Sequence, residues 1–295
     1  MDSPRMELAA IVSSKSEDRI RKIANFSGRH FDTVAGLDTL ISNLDGVVIA
    51  TPPGPRAAIV EHFLKRDVPV FAEKPLTLDA NDTRRLLSLA QSRGVPLIED
   101  FVHLYAWPYR EIYAHAREGR FDIQSCGGND GPVRAFSPLY DYGPHDVSMA
   151  LRAIGRSPRT VRASIFDVRS IGQYCIKAEM DFADAGVAAI SFGNGFAGKH
   201  RYFELDDNRD VWRYDDLAAA PLLVNGRRRS SPAKVTLALE AALDSFIGYD
   251  VVVTPAESAW LSITTAQVLD EISSITEPLL AAHAGQSESS KPGCD

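Results

Sequence analysis

Three short segments hold side chains whose types and spacing suit acid–base chemistry on a bound small molecule. Thr51-Pro52-Pro53 follows the apolar run Val47-Val48-Ile49-Ala50. Glu73-Lys74-Pro75 follows a second apolar run, Val68 to Ala72. The third is Tyr140-Asp141-Tyr142-Gly143-Pro144-His145-Asp146. A lysine just past a buried strand reaches a ligand bound at that edge of a sheet, and Pro75 stiffens the turn presenting it. Asp141 and His145 stand four residues apart, so a helix beginning in this segment sets both on one face. An imidazole titrates near neutral pH and suits proton transfer from a hydroxyl. Each segment also has a plainer reading. Lys74 fits a solvated loop lysine, Pro75 a helix-start proline, Asp141 an N-cap and His145 a core or surface histidine.

The elements that must position these residues follow from hydrophobic patterning. Leu8 to Val12, Val47 to Ala50, Val68 to Ala72 and Val95 to Ile98 are short apolar runs, the mark of strands buried on both faces. Helical stretches alternate with them at Ser16 to Ser27, Ala57 to Leu64 and the segment ending at Arg93, which Asp79 or Asp82 caps and Gly94 closes. Alternation of this kind predicts a parallel sheet with helices on both faces. From about residue 157 the texture changes to strand-like stretches of alternating polarity, separated by Gly and Asp clusters such as Asp184-Ala185-Gly186 and Gly193-Asn194-Gly195. That predicts an antiparallel sheet with one solvated face. Two helical segments follow, near Ala233 to Phe246 and Pro255 to Ile275. Gly127-Gly128-Asn129-Asp130-Gly131-Pro132 reads as a flexible turn.

Composition narrows the function classes. The chain of 295 residues is 45% hydrophobic and 24% charged, an ordinary globular balance with room for a sizeable core. A net charge of -7 argues against nucleic-acid binding, which needs a basic face. The three cysteines, Cys126, Cys175 and Cys294, show no CxxC spacing and read as free thiols of a reducing compartment. No apolar run approaches the roughly 18 residues of a membrane helix, and the first residues lack the layout of a signal peptide. A cytoplasmic protein without membrane or nucleic-acid partners is expected.

Thr-Pro-Pro after a Val-Val-Ile-Ala strand, then Glu-Lys-Pro about twenty residues on, then Asp-x-Gly-x-His-Asp, together resemble the Gfo/Idh/MocA oxidoreductase family, over roughly residues 7 to 275. The resemblance implies an α/β fold: an incomplete Rossmann-like parallel-sheet domain (1–105) plus an α+β domain with a mainly antiparallel sheet (106–283), before a disordered tail (284–295). It implies an NAD(P)-dependent dehydrogenase or reductase acting on a secondary alcohol or ketone of a sugar, cyclitol or nucleotide-sugar. Lys74 would polarise the reacting oxygen, His145 would move the proton, and Asp141 would hold substrate or tune His145. Thr51, Pro52 and Pro53 would lie along the cofactor, with Glu73 near the nicotinamide ribose.

Departures from the family pattern carry their own expectations. The family's first strand and Gly-x-Gly-x-x-Gly turn have no counterpart before Glu7 to Val12, and the first glycine is Gly28. That turn is the phosphate cradle. Either sequence upstream supplies it, or the protein binds dinucleotide poorly. A non-redox enzyme or a binding or regulatory protein on the same scaffold is the alternative reading. Ser13-Ser14-Lys15 stands where an acidic ribose partner is usual in NAD binders, which favours NADP over NAD. His103-Leu104-Tyr105-Ala106-Trp107-Pro108 replaces a family-like arginine segment, and His103, Tyr105 and Trp107 either line a pocket or pack as aromatics. A broad sheet face left uncovered by helices predicts a homo-oligomer.

Overall fold

In the computed structural model, residues 5–15, 20, 22, 26, 28–115, 119–170 and 172–289 are described, the side chains of 284–289 excepted. The chain begins with β1 (Ala10–Val12), which pairs in parallel with β2 (Arg29–Phe31). A separate three-stranded parallel sheet follows, ordered β3 (Val47–Ile49), β4 (Val70–Glu73), β5 (Leu97–Asp100). Among the described residues no strand joins β1 to β3, so the parallel strands form two separate sheets. Both pieces still share one core: Ala10, Val12 and Phe31 pack against the cluster of Leu37, Ile49, Val60, Leu64, Val70 and Ala72. The expected helix Ser16 to Ser27 lies largely outside the described residues, and β2 was not marked by any apolar run.

Helix α1 (Pro53–Leu64) starts directly at the prolines after β3. Proline at the first helical position gives up an N–H that would have no partner there anyway, so Pro53 starts the helix rather than stopping it. Helix α2 (Ala80–Arg93) is capped by Asp79, whose carboxylate accepts from Asn81 and Asp82 backbone N–H, and it closes on Gly94 at φ 66°. A left-handed closing residue favours glycine, which has no Cβ to clash.

The second sheet has eight strands, ordered β13-β12-β11-β10-β6-β9-β8-β7. They are β6 (Phe121–Asp130), β7 (Thr160–Ser170), β8 (Gln173–Asp181), β9 (Gly186–Gly193), β10 (Gly195–Asp206), β11 (Val211–Asp215), β12 (Leu222–Val224) and β13 (Arg227–Arg228). All neighbours run antiparallel except β6 and β9. The sheet therefore begins about 35 residues earlier than the polarity pattern predicts. The expected flexible turn at Gly127–Pro132 is corrected: its first four residues are the end of a central strand. The glycines are there for close approach. A Cβ at Gly128 would fall on the Gly193 carbonyl oxygen and the Phe196 ring.

Helix α3 (Trp107–His115) leads from the first sheet to the second. Helices α4 (Pro138–Ile154) and α6 (Pro255–Ser289) cover one face of the large sheet, and α5 (Ala238–Phe246) packs near β5 and the turn after it. The core between them holds Tyr109, Leu139, Val147, Met149, Leu151, Ile190, Phe192, Phe203 and Leu261, all essentially buried. The other sheet face is mixed in polarity. Asp122, Gln124, Arg162, Lys177 and Glu179 are exposed on it, with Arg162 paired to Glu179 at 3.1 Å. Cys126 and Cys175 are free and buried; Cys294 lies outside the described residues. Helix α6 runs through Ser289, into the stretch expected to be a tail, and 290–295 lie outside the described residues. Among the described residues no helix is long and apolar enough to cross a membrane, and no group of three or more His, Cys, Asp or Glu side chains is arranged to hold a metal.

Candidate active site

The register of the first sheet puts the chemistry at one edge. Glu73 pairs with Asp100 at the last rung between β4 and β5, so Lys74 stands one residue beyond the ladder, at the carboxyl end of its strand. Thr51 occupies the equivalent place two residues past β3. Arg56, buried in the first turns of α1, joins these two ends: its guanidinium donates to the Thr51 and Pro75 backbone carbonyls. Burial lowers the Arg56 pKa, and the charges of Glu73 and Glu99 oppose that shift.

Across from this edge lies the first turn of α4. Ser137 is its N-cap, accepting from the Leu139 N–H at 3.1 Å, so Asp141 is a helical residue and not the cap. Gly143 lets the helix seat closely: a Cβ there would stand 2.8 Å from Leu269 Cδ2 and 3.1 Å from Phe192. Lys74 Nζ donates to the Asp141 backbone carbonyl and lies 3.4 Å from Asp141 Oδ1. Asp141 Oδ2 is 2.7 Å from Arg134 Nε, on the loop that precedes α4. His145 follows one helical turn later. The structure thus joins Lys74 to Asp141, both mostly shielded, and sets His145 one turn along the same helix, near enough for the Lys74 charge to act on it. Lys74 has a lowered pKa because burial outweighs the opposing charges of Asp141 and Glu73. His145 is pushed well below the ordinary histidine range, first by burial and then by Lys74, His103 and Arg201. An uncharged imidazole is what a base requires before it takes a proton.

Further side chains gather around these three. His103 lies edge-to-face with His145, ring centroids 4.7 Å apart. His103 Nδ1 is 3.4 Å from the Tyr214 hydroxyl. Asp146 is fully buried; its carboxylate accepts from Ser125 and, at 3.2 Å, from Arg201. The β6–β10 register sets Arg201 opposite Gly127, and a Cβ at Gly127 would intrude on this Arg201–Asp146 pair. Asp146 adjoins His145 in sequence and so could have been found there. Arg201 gives no sequence signal, since only the strand register brings it in. The aromatic trio after β5 divides: Tyr105 is core, Trp107 packs at the core margin, and His103 enters the cleft.

The strand ends also bear on a dinucleotide. Thr51 Oγ1 is buried and has no hydrogen-bond partner. An orphan hydroxyl beside Glu73 and Lys74 fits the polar nicotinamide-ribose end of such a cofactor. Pro52 and Pro53 turn the chain there into α1. Ser13, Ser14 and Lys15 follow β1; Ser13 Oγ accepts from the Lys15 N–H at 3.2 Å, and Ser14 and Lys15 are exposed. A glycine-rich phosphate turn is not among the described residues.

Parallel strand ends bearing a lysine face a helix that carries an aspartate and a histidine, beside a large mainly antiparallel sheet. Residues 1–101 match the Gfo/Idh/MocA family model, described as "Oxidoreductase family, NAD-binding Rossmann fold". It is 34% identical over 147 residues to a dTDP-3,4-didehydro-2,6-dideoxy-alpha-D-glucose 3-reductase of Streptomyces violaceoruber, covering 49% of this chain and 40% of that protein. It is 25% identical over 191 residues to a UDP-N-acetylglucosamine 3-dehydrogenase of Acidithiobacillus ferrooxidans, covering 64% and 57%. The matched stretch thus spans only about half the length of these relatives. A crystal structure of the Acidithiobacillus ferrooxidans enzyme superposes with a TM-score of 0.79 at 20% identity, covering 92% of this chain and 91% of that one. A 3-ketoreductase from Actinomadura kijaniata, in complex with TDP-benzene and NADP, superposes at 0.72 with 18% identity over 91% and 89%. These likenesses show a shared fold.

Proposed function

We propose that this chain is an NAD(P)-dependent oxidoreductase acting on a secondary alcohol or ketone of a sugar, cyclitol or nucleotide-sugar, with Lys74, Asp141 and His145 around the reacting oxygen. The observation that carries this reading is the Lys74–Asp141 contact, which ties a parallel-strand end to the helix bearing His145. When bound, the nicotinamide would supply or accept the hydride. Lys74 sets a positive charge where alkoxide develops. His145, neutral in the free pocket, accepts the hydroxyl proton in oxidation and returns it in reduction. Asp141 holds Lys74 and offers an acceptor to a substrate hydroxyl. Thr51, Glu73 and the Pro52-Pro53 turn would hold the nicotinamide end, and Ser13, Ser14 and Lys15 the adenosine ribose, with NADP preferred. The division near residue 105 into a cofactor unit and a substrate unit belongs to the same reading, as does self-association through the mixed sheet face, which light scattering tests.

Titrating NADP and NAD against intrinsic tryptophan fluorescence, then screening UDP- and dTDP-sugars, inositol and xylose for turnover, tests the proposal. Binding and turnover in the wild type, lost in His145→Ala, support it. A non-redox enzyme or a binding protein on the same scaffold is the alternative reading, and the absence of binding by either cofactor would select it.

A further inference from the structure

We propose that Asp216, Tyr214 and His103 form a positioning chain that holds the His145 imidazole in its working orientation. The inference rests on the reading of His145 as the proton-transfer group. A working histidine is ordinarily oriented by a hydrogen bond to its second ring nitrogen. Here His145 Nδ1 is buried and has no partner. What fixes the ring instead is His103, perpendicular to it at 84° with centroids 4.7 Å apart. Perpendicular aromatic contact has a preferred geometry, so one ring set firmly limits the other.

His103 is itself set by a chain of two hydrogen bonds. The Tyr214 hydroxyl donates its one proton to Asp216 Oδ1 at 3.2 Å. Its oxygen must therefore accept from His103, whose Nδ1 lies 3.4 Å away. That makes His103 the Nδ1–H tautomer, with Nε2 left as an acceptor on the side away from Tyr214. The parts come from two places: Tyr214 in β11 with Asp216 just past it, and His103 in the short turn Val102–Tyr105. The surrounding charges keep both rings neutral. Burial first, then Arg201, Lys74 and Lys199, lowers His103, and Lys74 and Arg201 likewise face His145. Two neutral rings pack without repulsion, which a protonated pair would introduce.

Imidazole nitrogen NMR on the full, uniformly 15N-labelled chain reads this directly. The wild type is expected to show His103 as the Nδ1–H tautomer and one sharp His145 signal set. Tyr214→Phe should release the His103 tautomer and broaden or shift the His145 nitrogens, with thermal stability nearly kept. His103→Phe keeps a ring but loses the bond to Tyr214, so it should disturb the His145 nitrogens much as Tyr214→Phe does, and His103→Ala should disturb them further. With any screened sugar that NADP turns over, Tyr214→Phe should lower kcat by roughly 2- to 10-fold, the worth of one hydrogen bond, and leave KM unchanged. His145 nitrogens that ignore Tyr214→Phe and His103→Ala alike would overturn the chain. The expected NMR pattern in a protein that turns over no sugar would count against the proposed function and leave the positioning chain intact.

Discussion

Lys74 Nζ donates to the backbone carbonyl of Asp141, a residue 67 positions away, and stands 3.4 Å from its Oδ1. A cation at the end of β4 is thereby fixed on the helix that carries His145. Asp141 is held from the other side by Arg134 at 2.7 Å, so the carboxylate sits between two cations. On the proposed reading, Lys74 brings positive charge and His145 a neutral base to the reacting hydroxyl, as transfer of its proton requires.

Removing either group should cost turnover without unfolding the protein. His145→Ala is expected to lower kcat by about 100- to 10,000-fold, the usual worth of a positioned base. Lys74→Ala should be comparably damaging, by about 100- to 1,000-fold, since it loses the charge on the developing alkoxide. Lys74→Arg should not rescue, because a planar fork does not replace a point charge at that reach. Steady-state kinetics on the screened substrate, with circular dichroism to verify folding, check this. Full activity in both alanine variants would remove the assignment.

Two neighbouring carboxyls predict a pH dependence of stability. Glu99 is fully shielded and accepts from the Leu76 N–H at 2.8 Å; burial raises its pKa from 4.5 to about 7. Asp100 next to it is likewise raised to about 7, by burial and then by Glu73 and Glu99. A carboxyl whose pKa is higher folded than unfolded keeps an extra proton in the native state. Its contribution is complete below the unfolded value and is lost as pH rises through about 7. Glu99→Gln should therefore shrink the fall in unfolding free energy between pH 4 and pH 8 by roughly 2–3 kcal/mol. Urea melts across that range, wild type against variant, measure it. An identical slope in the two proteins would contradict the assignment.

The proposed preference for NADP rests on the end of β1. Lys15 is exposed and follows two hydroxyls, a set that suits a 2′-phosphate better than a bare ribose diol. Lys15→Glu should reverse the preference, weakening NADP by about 10-fold or more while sparing NAD, since like charge replaces attraction. Fluorescence titration of both cofactors at fixed salt reads the ratio. A ratio unmoved by the substitution would place the adenosine ribose elsewhere.

The parallel half of the fold was legible because its strands are continuous apolar runs and its helix α2 carries both end signals, Asp79 and Gly94. The short β2 was not, since Arg29-His30-Phe31 has no apolar pattern to read. Strand β6 was hidden by its own glycines. Gly127 and Gly128 read as a turn, yet they are small because Arg201, Asp146 and Phe196 crowd the strand. In the cleft, Lys74, Asp141 and His145 were visible as local motifs. His103 stood out only as one of three aromatics with two open roles, and Arg201 and Tyr214 did not stand out at all, because strand register brings them in and is not written in local spacing.

Gly143 links the fold to the cleft and gives the last prediction. It sits in α4 between Asp141 and His145, where a Cβ would stand 2.8 Å from Leu269 Cδ2 and 3.1 Å from Phe192. Alanine is ordinarily the better helix former by about 1 kcal/mol, so propensity alone would make Gly143→Ala stabilising. Overpacking opposes it: an added methyl in a filled site typically costs about 1–3 kcal/mol. Leu269 and Phe192 are both buried, and Phe192 is held in β9, so the helix must move rather than its neighbours. Because Asp141 and His145 flank the glycine, that movement shifts both relative to Lys74, and small displacements of this kind cost about 100-fold in rate. Gly143→Ala is thus expected to lower the denaturation midpoint modestly and turnover disproportionately. A variant that is more stable than wild type, with unchanged kcat, would show that α4 absorbs the methyl and that this close seating does not govern the site.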